Sequence, residues 1–182
     1  MKKVLFVAMA MLALMTTACS GNKSQKEGAA EAGQTEAEQK SAWQTYTNDN
    51  FGYSIEVPGD MTKRETMTEE NGTIFSYDGE EGVTLNRIEI TGSEDMFGDE
   101  YTPERIKAYY EDDIANKDVT SSECGDNYYT YSILGGEHCD QINYYVYNGS
   151  RCVSVVVCYE KDHADKLGGE VAEHVFKSVK FK

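Results

Sequence analysis

Apolar and polar side chains alternate along several segments between Trp43 and the C-terminus, and this alternation predicts β-strands with one buried face. The clearest case is residues 53–57, where Tyr53, Ile55 and Val57 alternate with polar residues before a Pro-Gly pair that ends the strand. Further segments with the same signal predict strands at residues 73–77, 83–91, 128–134, 139–147 and 151–159.

Turn-forming residues separate these strands. Residues 78–82 predict a loop, and Gly135-Gly136 and Asn148-Gly149 both tolerate the positive φ that two-residue hairpin turns require. With Asn148 and Gly149 as the turn residues, Val146 lies opposite Arg151 on the neighbouring strand. The last three strands are therefore predicted to form an antiparallel meander.

A first helix is predicted to begin after Thr102. This residue is a hydroxyl cap, and it is followed by a proline and a glutamate, which are favoured in a first helical turn. Ile106, Tyr110 and Ile114 then recur every four residues and line one face to about residue 116.

A second helix is predicted over residues 162–176, with Leu167, Val171 and Val175 on one stripe. The Gly168-Gly169 pair inside it costs about 2 kcal/mol of helix propensity. The apolar residues that follow either add a last strand or lie against the core.

The first 18 residues have the features of an export signal. A basic start precedes residues 4–15, which carry no charge. Such a segment rises only about 18 Å as a helix, too little to cross a hydrocarbon core of about 30 Å. Small residues then precede Cys19, an arrangement that resembles the lipobox of bacterial lipoproteins, with Thr16 at the usual leucine position. The resemblance implies cleavage before Cys19 and acylation of its sulfur; the alternative is an ordinary secretory leader with an incidental cysteine.

Residues 19–42 connect this signal to the domain. After Cys19 they include no aromatic residue, valine, isoleucine or leucine, and their charges are mixed. Such a composition cannot bury enough apolar surface to order itself, so a flexible tether is predicted. Residues 43–182 show no repeat and no second linker, and they are predicted to form one domain.

Four cysteines lie within that domain: Cys124, Cys139, Cys152 and Cys158. An even number of cysteines in an exported domain is typical of disulfide formation. The predicted hairpin places Cys139 opposite Cys158, at a Cα separation of about 5.5 Å that a disulfide can span. Cys152 and Cys158 share a strand about 20 Å apart, which leaves Cys124–Cys152 as the second predicted bridge. The alternative is four free, buried thiols that pack as small apolar side chains.

The charge balance and the missing motifs argue against several functions. The chain carries 32 Asp+Glu against 17 Lys+Arg, a formal net charge of −15, which disfavours binding to a nucleic-acid backbone. The sequence has no GxSxG, HExxH, GxxxxGK[ST] or GxGxxG pattern and no paired CxxC motifs. The protein is therefore predicted not to be an enzyme, to have no cofactor and to bind no nucleic acid.

One acidic loop, residues 93–100, is a candidate cation site. Asp95, Asp99 and Glu100 offer carboxylate oxygens, which are the ligands that calcium prefers. Their spacing departs from that of an EF-hand, and an acidic surface loop is the alternative.

Tyrosine is frequent, with 13 in the chain. The pairs Tyr128-Tyr129 and Tyr144-Tyr145 are predicted to point to opposite faces of their strands. Outward rings either form a platform for a partner or a sugar, or cover the sheet beneath a helix.

Residues 46–59 combine an aromatic-rich short segment, a Gly-Tyr-Ser-Ile strand and a Pro-Gly stop. This opening resembles that of the PsbP-like group, which also includes the DcrB-like envelope lipoproteins and the Ran-binding Mog proteins. The order of predicted elements is similar across residues 43–182. The resemblance implies an α+β fold in which an antiparallel β-sheet is flanked by helices in an α/β/α sandwich. It implies no shared catalytic residues, because the members mostly act as accessory or binding proteins.

The expected function is that of a membrane-anchored envelope lipoprotein whose domain is a non-catalytic binding or accessory module for an envelope protein partner. The acylated Cys19 would enter a lipid bilayer, that of the outer membrane if the cell has one, and would hold the domain outside the cytoplasm. The alternative is a solute- or cation-binding lipoprotein that uses the acidic loop or a tyrosine-lined cleft.

Overall fold

A computed structural model describes residues 42–64, 71–77 and 85–182. The predicted signal peptide, Cys19, nearly all of the tether and the predicted loop at residues 78–82 lie outside these residues. Within the described ranges, no helix has the length and apolar character needed to cross a membrane.

The described residues form ten strands and three helices. The strands are β1 (Trp43–Asn48), β2 (Tyr53–Pro58), β3 (Thr62–Arg64), β4 (Gly72–Ser76), β5 (Arg87–Glu94), β6 (Ser121–Cys124), β7 (Tyr128–Ile133), β8 (Asp140–Asn148), β9 (Arg151–Tyr159) and β10 (Lys180–Phe181). The helices are α1 (Pro103–Ile114), α2 (Ala164–Leu167) and α3 (Gly169–Lys177), and a 3-10 turn (Lys161–His163) precedes α2.

Two antiparallel sheets organise the domain. The larger has seven strands in the order β3-β4-β5-β9-β8-β7-β6, and the smaller has the order β1-β2-β10. Val153, Val155 and Val157 of the central strand β9 are at most 1% exposed and pack with α2, α3 and the small sheet. The opposite face of the large sheet packs against α1. The α+β class with helices flanking an antiparallel sheet is confirmed.

The first predicted strand is confirmed as β2. Its three alternating apolar residues, Tyr53, Ile55 and Val57, are fully buried. The C-terminal residues add the short strand β10 to its edge, with Phe181 opposite Tyr53. Both alternatives for the end of the chain are therefore confirmed: the last strand forms, and Val179 and Phe181 also pack against the core.

Helix α1 is also confirmed. The hydroxyl of Thr102 accepts a hydrogen bond from the backbone N–H of Arg105 at 3.3 Å and so caps the first turn. Ile106 is 1% exposed, and Tyr110 and Ile114 pack in the same apolar cluster. The predicted stripe is therefore the face that α1 turns to the sheet.

The prediction of one continuous helix over residues 162–176 is wrong. Gly168 is extended, at φ −84° and ψ 179°, and Gly169 adopts a φ of +50°. The glycine pair therefore separates α2 from α3. Both helices still contribute to the core, since Leu167 and Val175 are fully buried.

The predicted register of the last hairpin is wrong by two residues. The turn residues are Gly149, at φ +63°, and Ser150, because Asn148 extends β8 and pairs with Arg151. Val146 therefore lies opposite Val153 rather than opposite Arg151. A shift of two keeps every side chain on its face, so the alternation alone could not distinguish the two registers.

The corrected register also changes the cysteine pairing. The four cysteines within the described residues are free thiols, and Cys158 lies opposite Gln141 rather than opposite Cys139. The two side chains remain neighbours: burial raises the pKa of the Cys158 thiol to about 11, and Cys139 adds to this shift.

The predicted Cys124–Cys152 disulfide is wrong, because the two residues lie too far apart. Cys124 belongs to β6 and Cys152 to β9, and β7 and β8 lie between them. Three strand spacings amount to about 14 Å, twice the Cα separation that a disulfide can span.

Candidate functional site

The acidic loop runs from the end of β5 to the cap of α1 and is docked on the β8–β9 turn. The backbone N–H of Asp95 donates to the carbonyl of Ser150 at 2.8 Å, and that of Tyr101 donates to the carbonyl of Gly149 at 2.9 Å. Both ends of the loop are therefore tied to the same hairpin.

Asp95 organises the loop from within. Its Oδ1 accepts the backbone N–H groups of Phe97 at 3.0 Å and Asp99 at 3.1 Å. Its Oδ2 pairs with the guanidinium of Arg105 on α1. The hydrogen bond from Arg105 lowers the pKa of the Asp95 carboxyl, so the group is charged at neutral pH.

These contacts bear on the predicted cation site. Both oxygens of Asp95 are taken by groups of the protein, whereas Asp99 and Glu100 are exposed. Among the residues that the structure describes, the one group of His, Cys, Asp and Glu side chains with ligand atoms close together is elsewhere, at Glu160, Asp162 and His163. The structure therefore gives no support to a cation site on the acidic loop.

Two large apolar side chains project from this loop. Met96 is 87% exposed and Phe97 is 83% exposed. Tyr109 and Leu134, which are also exposed, reach only 42% and 45%. We call Met96 and Phe97 the tip. Sequence reasoning looked only at the carboxylates of this segment; the missed signal was a Met-Phe pair within a run of acidic residues.

Arg105 connects the tip to the body of the domain. Its guanidinium carbon lies 4.6 Å from the ring centroid of Tyr101 and 5.6 Å from that of Tyr109. Its Nη2 donates to the Tyr109 hydroxyl at 3.2 Å. The Tyr101 ring in turn lies 4.7 Å from that of Tyr147 on β8.

A tyrosine layer fills the space between α1 and the large sheet. Its members are Tyr129, Tyr131, Tyr145 and Tyr147. The rings of Tyr129 and Tyr145 are stacked with their centroids 4.5 Å apart. Burial raises the pKa of Tyr129 and Tyr147 above the ordinary tyrosine value, so these hydroxyls stay protonated at neutral pH.

The adjacent tyrosines divide between the two faces as predicted. Tyr128 and Tyr144 pack on the side of α3, where the Tyr144 ring stacks on Phe176 at 4.9 Å. Tyr129 and Tyr145 pack beneath α1. These strand tyrosines therefore cover the sheet under helices, and among the tyrosines, all of which lie in the described ranges, Tyr109 is the exposed one.

The surface of α3 carries a separate contact. His174 stacks on the indole of Trp43 at 3.8 Å, and its Nε2 lies 2.8 Å from a carboxylate oxygen of Glu56. These interactions connect α3 to β1 and β2.

Comparison with known proteins supports the fold. No protein-family model and no curated protein matches the sequence. The solution structure of cyanobacterial PsbP (CyanoP) from Synechocystis sp. PCC 6803 is similar at a TM-score of 0.55 and 15% identity, covering 78% of this chain and 93% of that chain. A crystal structure from Bacteroides thetaiotaomicron VPI-5482 is similar at a TM-score of 0.52 and 12% identity, covering 78% of this chain and 49% of that chain. The domain therefore has a PsbP-like fold.

Proposed function

We propose that the protein is a membrane-anchored envelope lipoprotein whose domain is a non-catalytic module that binds a protein partner through the tip. The observation that carries this proposal is the exposure of Met96 and Phe97 on a loop that Asp95 holds in place. Burying a large apolar side chain against a partner stabilises the complex by about 1.5–3 kcal/mol. Because the loop is ordered before binding, less conformational entropy is lost when a partner covers it.

The charges beside the tip suggest the chemistry of the partner. Glu94, Asp99, Glu100 and Glu104 flank it in the sequence and are exposed, while the charge of Arg105 is balanced by Asp95. An apolar pocket bordered by lysine and arginine would complement this surface. The same carboxylates and the net charge of −15 disfavour insertion of the tip into an anionic lipid surface.

The membrane anchor is inferred from the sequence. Acylation of Cys19 and a tether over residues 20–42 would confine the tip to a layer near the bilayer surface. Confinement raises the effective concentration of the tip for a membrane-bound partner. The domain would thus act by presenting its tip to a membrane-bound partner and not by catalysing a reaction.

Photo-crosslinking in cells that make the full chain tests the proposal. A crosslinking amino acid is placed at Met96, and in a matched control at Leu134, an exposed apolar position at the other end of the large sheet. We expect a discrete crosslinked protein from position 96 alone. Phe97→Ser should abolish this product, and Leu134→Ser should leave it unchanged.

The anchor is tested in the same cells. Cys19→Ala should move the protein from the salt-washed membrane fraction to the soluble fraction and weaken the crosslink. Equal products from positions 96 and 134, or a product that survives Phe97→Ser, would show that the tip is not the binding surface. Retention of the Cys19 variant in washed membranes would overturn the lipoprotein assignment.

A further inference from the structure

A cavity lies at the end of the large sheet opposite the tip. It has a volume of about 380 Å³ and is open to solvent. One wall comes from the loop before β8, with His138 and Cys139, and the other from the residues after β9, with Glu160 and Asp162. These two segments are brought together because β8 and β9 are antiparallel neighbours.

Two residues of the cavity wall, Glu160 and Asp162, have together with the adjacent His163 the arrangement of a metal site. One ligand atom from each of Glu160, Asp162 and His163 lies within 4.8 Å of the other two. Three atoms at that spacing lie about 2.8 Å from a common centre, so an inward movement of less than about 1 Å brings them to the ~2.0–2.2 Å of zinc–ligand bonds. Rotamer adjustments of exposed side chains can supply this movement.

A buried residue positions one of the three. Asn86, which is 2% exposed, donates from Nδ2 to Oε2 of Glu160 at 3.0 Å and accepts the Glu160 backbone N–H at 2.9 Å. Hydrogen bonds of this kind to a ligating carboxylate orient it and hold it in place. Nδ1 of His163 lies 3.0 Å from Oδ1 of Asp162, so these two side chains hold each other in place.

The donor types distinguish between metals. Calcium takes six to eight oxygen ligands, whereas one imidazole and two carboxylates with an open position match zinc. His138 and Cys139 add a nitrogen and a sulfur donor on the facing wall, and both suit zinc-type ions better than calcium. The carboxylates of Glu137 and Asp140 outweigh the single positive charge of Lys161 among the remaining lining residues.

We propose that Glu160, Asp162 and His163 bind a divalent transition-metal ion of the zinc type at the edge of the cavity whose facing wall carries His138 and Cys139. This site is separate from the tip, and it stands or falls independently of the partner-binding function.

Titration calorimetry of the reduced, metal-free full-length protein with zinc chloride tests the proposal. We expect one zinc ion per chain. His163→Ala, Glu160→Gln and Asp162→Asn should each weaken binding at least about tenfold. Asp165→Asn on α2 removes the same charge nearby and His174→Ala removes an imidazole on α3; both should keep the wild-type affinity. Thermal unfolding of each variant checks that it is folded.

Three outcomes would overturn the proposal. The first is no zinc binding by the wild-type protein. The second is binding that Cys139→Ser abolishes and His163→Ala leaves unchanged, which would assign the ion to the thiol pair. The third is calcium binding as tight as zinc binding. The visible absorption of the cobalt-substituted protein is a readout of the ligands: a tetrahedral spectrum with a sulfur charge-transfer band that Cys139→Ser removes would identify Cys139 as the fourth ligand.

Discussion

Arg105 in the first turn of α1 pairs with Asp95 in the loop that precedes the helix. Asp95 also accepts hydrogen bonds from the backbone N–H groups of Phe97 and Asp99, so one carboxylate connects the loop to the helix. The position of the exposed Phe97 side chain is therefore set by a carboxylate that α1 holds. A partner would meet an ordered tip and not a loop that must first be ordered.

Substitution of Asp95 is predicted to loosen the tip in two steps. Asp95→Asn keeps an oxygen for the two backbone donors but loses the ion pair, and Asp95→Ala loses both. Amide hydrogen exchange of Phe97 and Asp99 should therefore be faster in Asp95→Asn than in the wild type, and fastest in Asp95→Ala. Asp99→Ala, which changes an exposed neighbour, serves as the control. Equal exchange in all four proteins would show that Asp95 does not order the loop.

The same ion pair predicts that the protein loses stability in acid. Because the folded state lowers the pKa of Asp95 from its ordinary value of 3.8, its contribution is fully present above that pH and is lost as the pH falls through the depressed value. Urea unfolding of the wild type and Asp95→Asn should differ at pH 7 and converge in strong acid. A difference that persists unchanged there would contradict the assigned pair.

The tyrosine layer predicts that the protein also loses stability at alkaline pH. Tyr129 is 4% exposed, and burial raises its pKa above the ordinary 10.0, so its contribution to stability is complete below pH 10 and is lost above it. Tyr129→Phe loses a 3.3 Å hydrogen bond to Asp113 and should cost about 0.5–1.5 kcal/mol at pH 7. At pH 11 this cost should shrink by about 1.4 kcal/mol, because one fewer hydroxyl ionises on unfolding. Urea unfolding of the wild type and Tyr129→Phe at the two pH values measures this cost. An identical cost at both pH values would contradict the predicted pH dependence.

Long alternating segments and a capped helix could be predicted from the sequence, and short edge strands could not. β2 and α1 carry a repeated apolar signal and a stop or cap, so local chemistry identifies them. β3 and β6 lie at the two edges of the large sheet and are three and four residues long, with mostly exposed side chains. They contain no buried face for a pattern to reveal, and their pairing depends on neighbours distant in sequence.

The candidate sites were hidden for related reasons. The sequence makes Asp95 a candidate cation ligand because of its carboxylate, but its partner Arg105 is supplied by the next helix. The wall of the cavity formed by His138 and Cys139 approaches Glu160 only through the pairing of β8 with β9. A register error of two residues was enough to place Cys139 opposite Cys158.

Gly92 predicts a steric test of the packing between the two sheets. A Cβ at this position of β5 would lie 2.7 Å from Cε1 of Tyr53 and 2.8 Å from Cβ of Phe51. Tyr53 is fully buried, so the clash cannot be relieved by moving its ring into solvent. Gly92→Ala should lower the free energy of unfolding by about 1–3 kcal/mol, measured by urea titration. The conservative Thr91→Ser at the exposed preceding residue should change it by less than about 0.5 kcal/mol.

The strand order predicts which disulfide the domain can form. Cys139 lies two residues before Gln141, the residue opposite Cys158, and it contributes to the raised pKa of the Cys158 thiol, so mild oxidation of the full-length protein should join this neighbouring pair first. Cys152 is 6% exposed and lies between Ser93 on β5 and Tyr147 on β8, so neither residue opposite it is a cysteine. Peptide mapping without reduction should therefore find the Cys139–Cys158 crosslink and leave Cys152 as a thiol. Cys139→Ser removes the expected crosslink and is the control. A Cys124–Cys152 crosslink in the folded protein would be incompatible with two strands between β6 and β9, and would overturn the order of the large sheet.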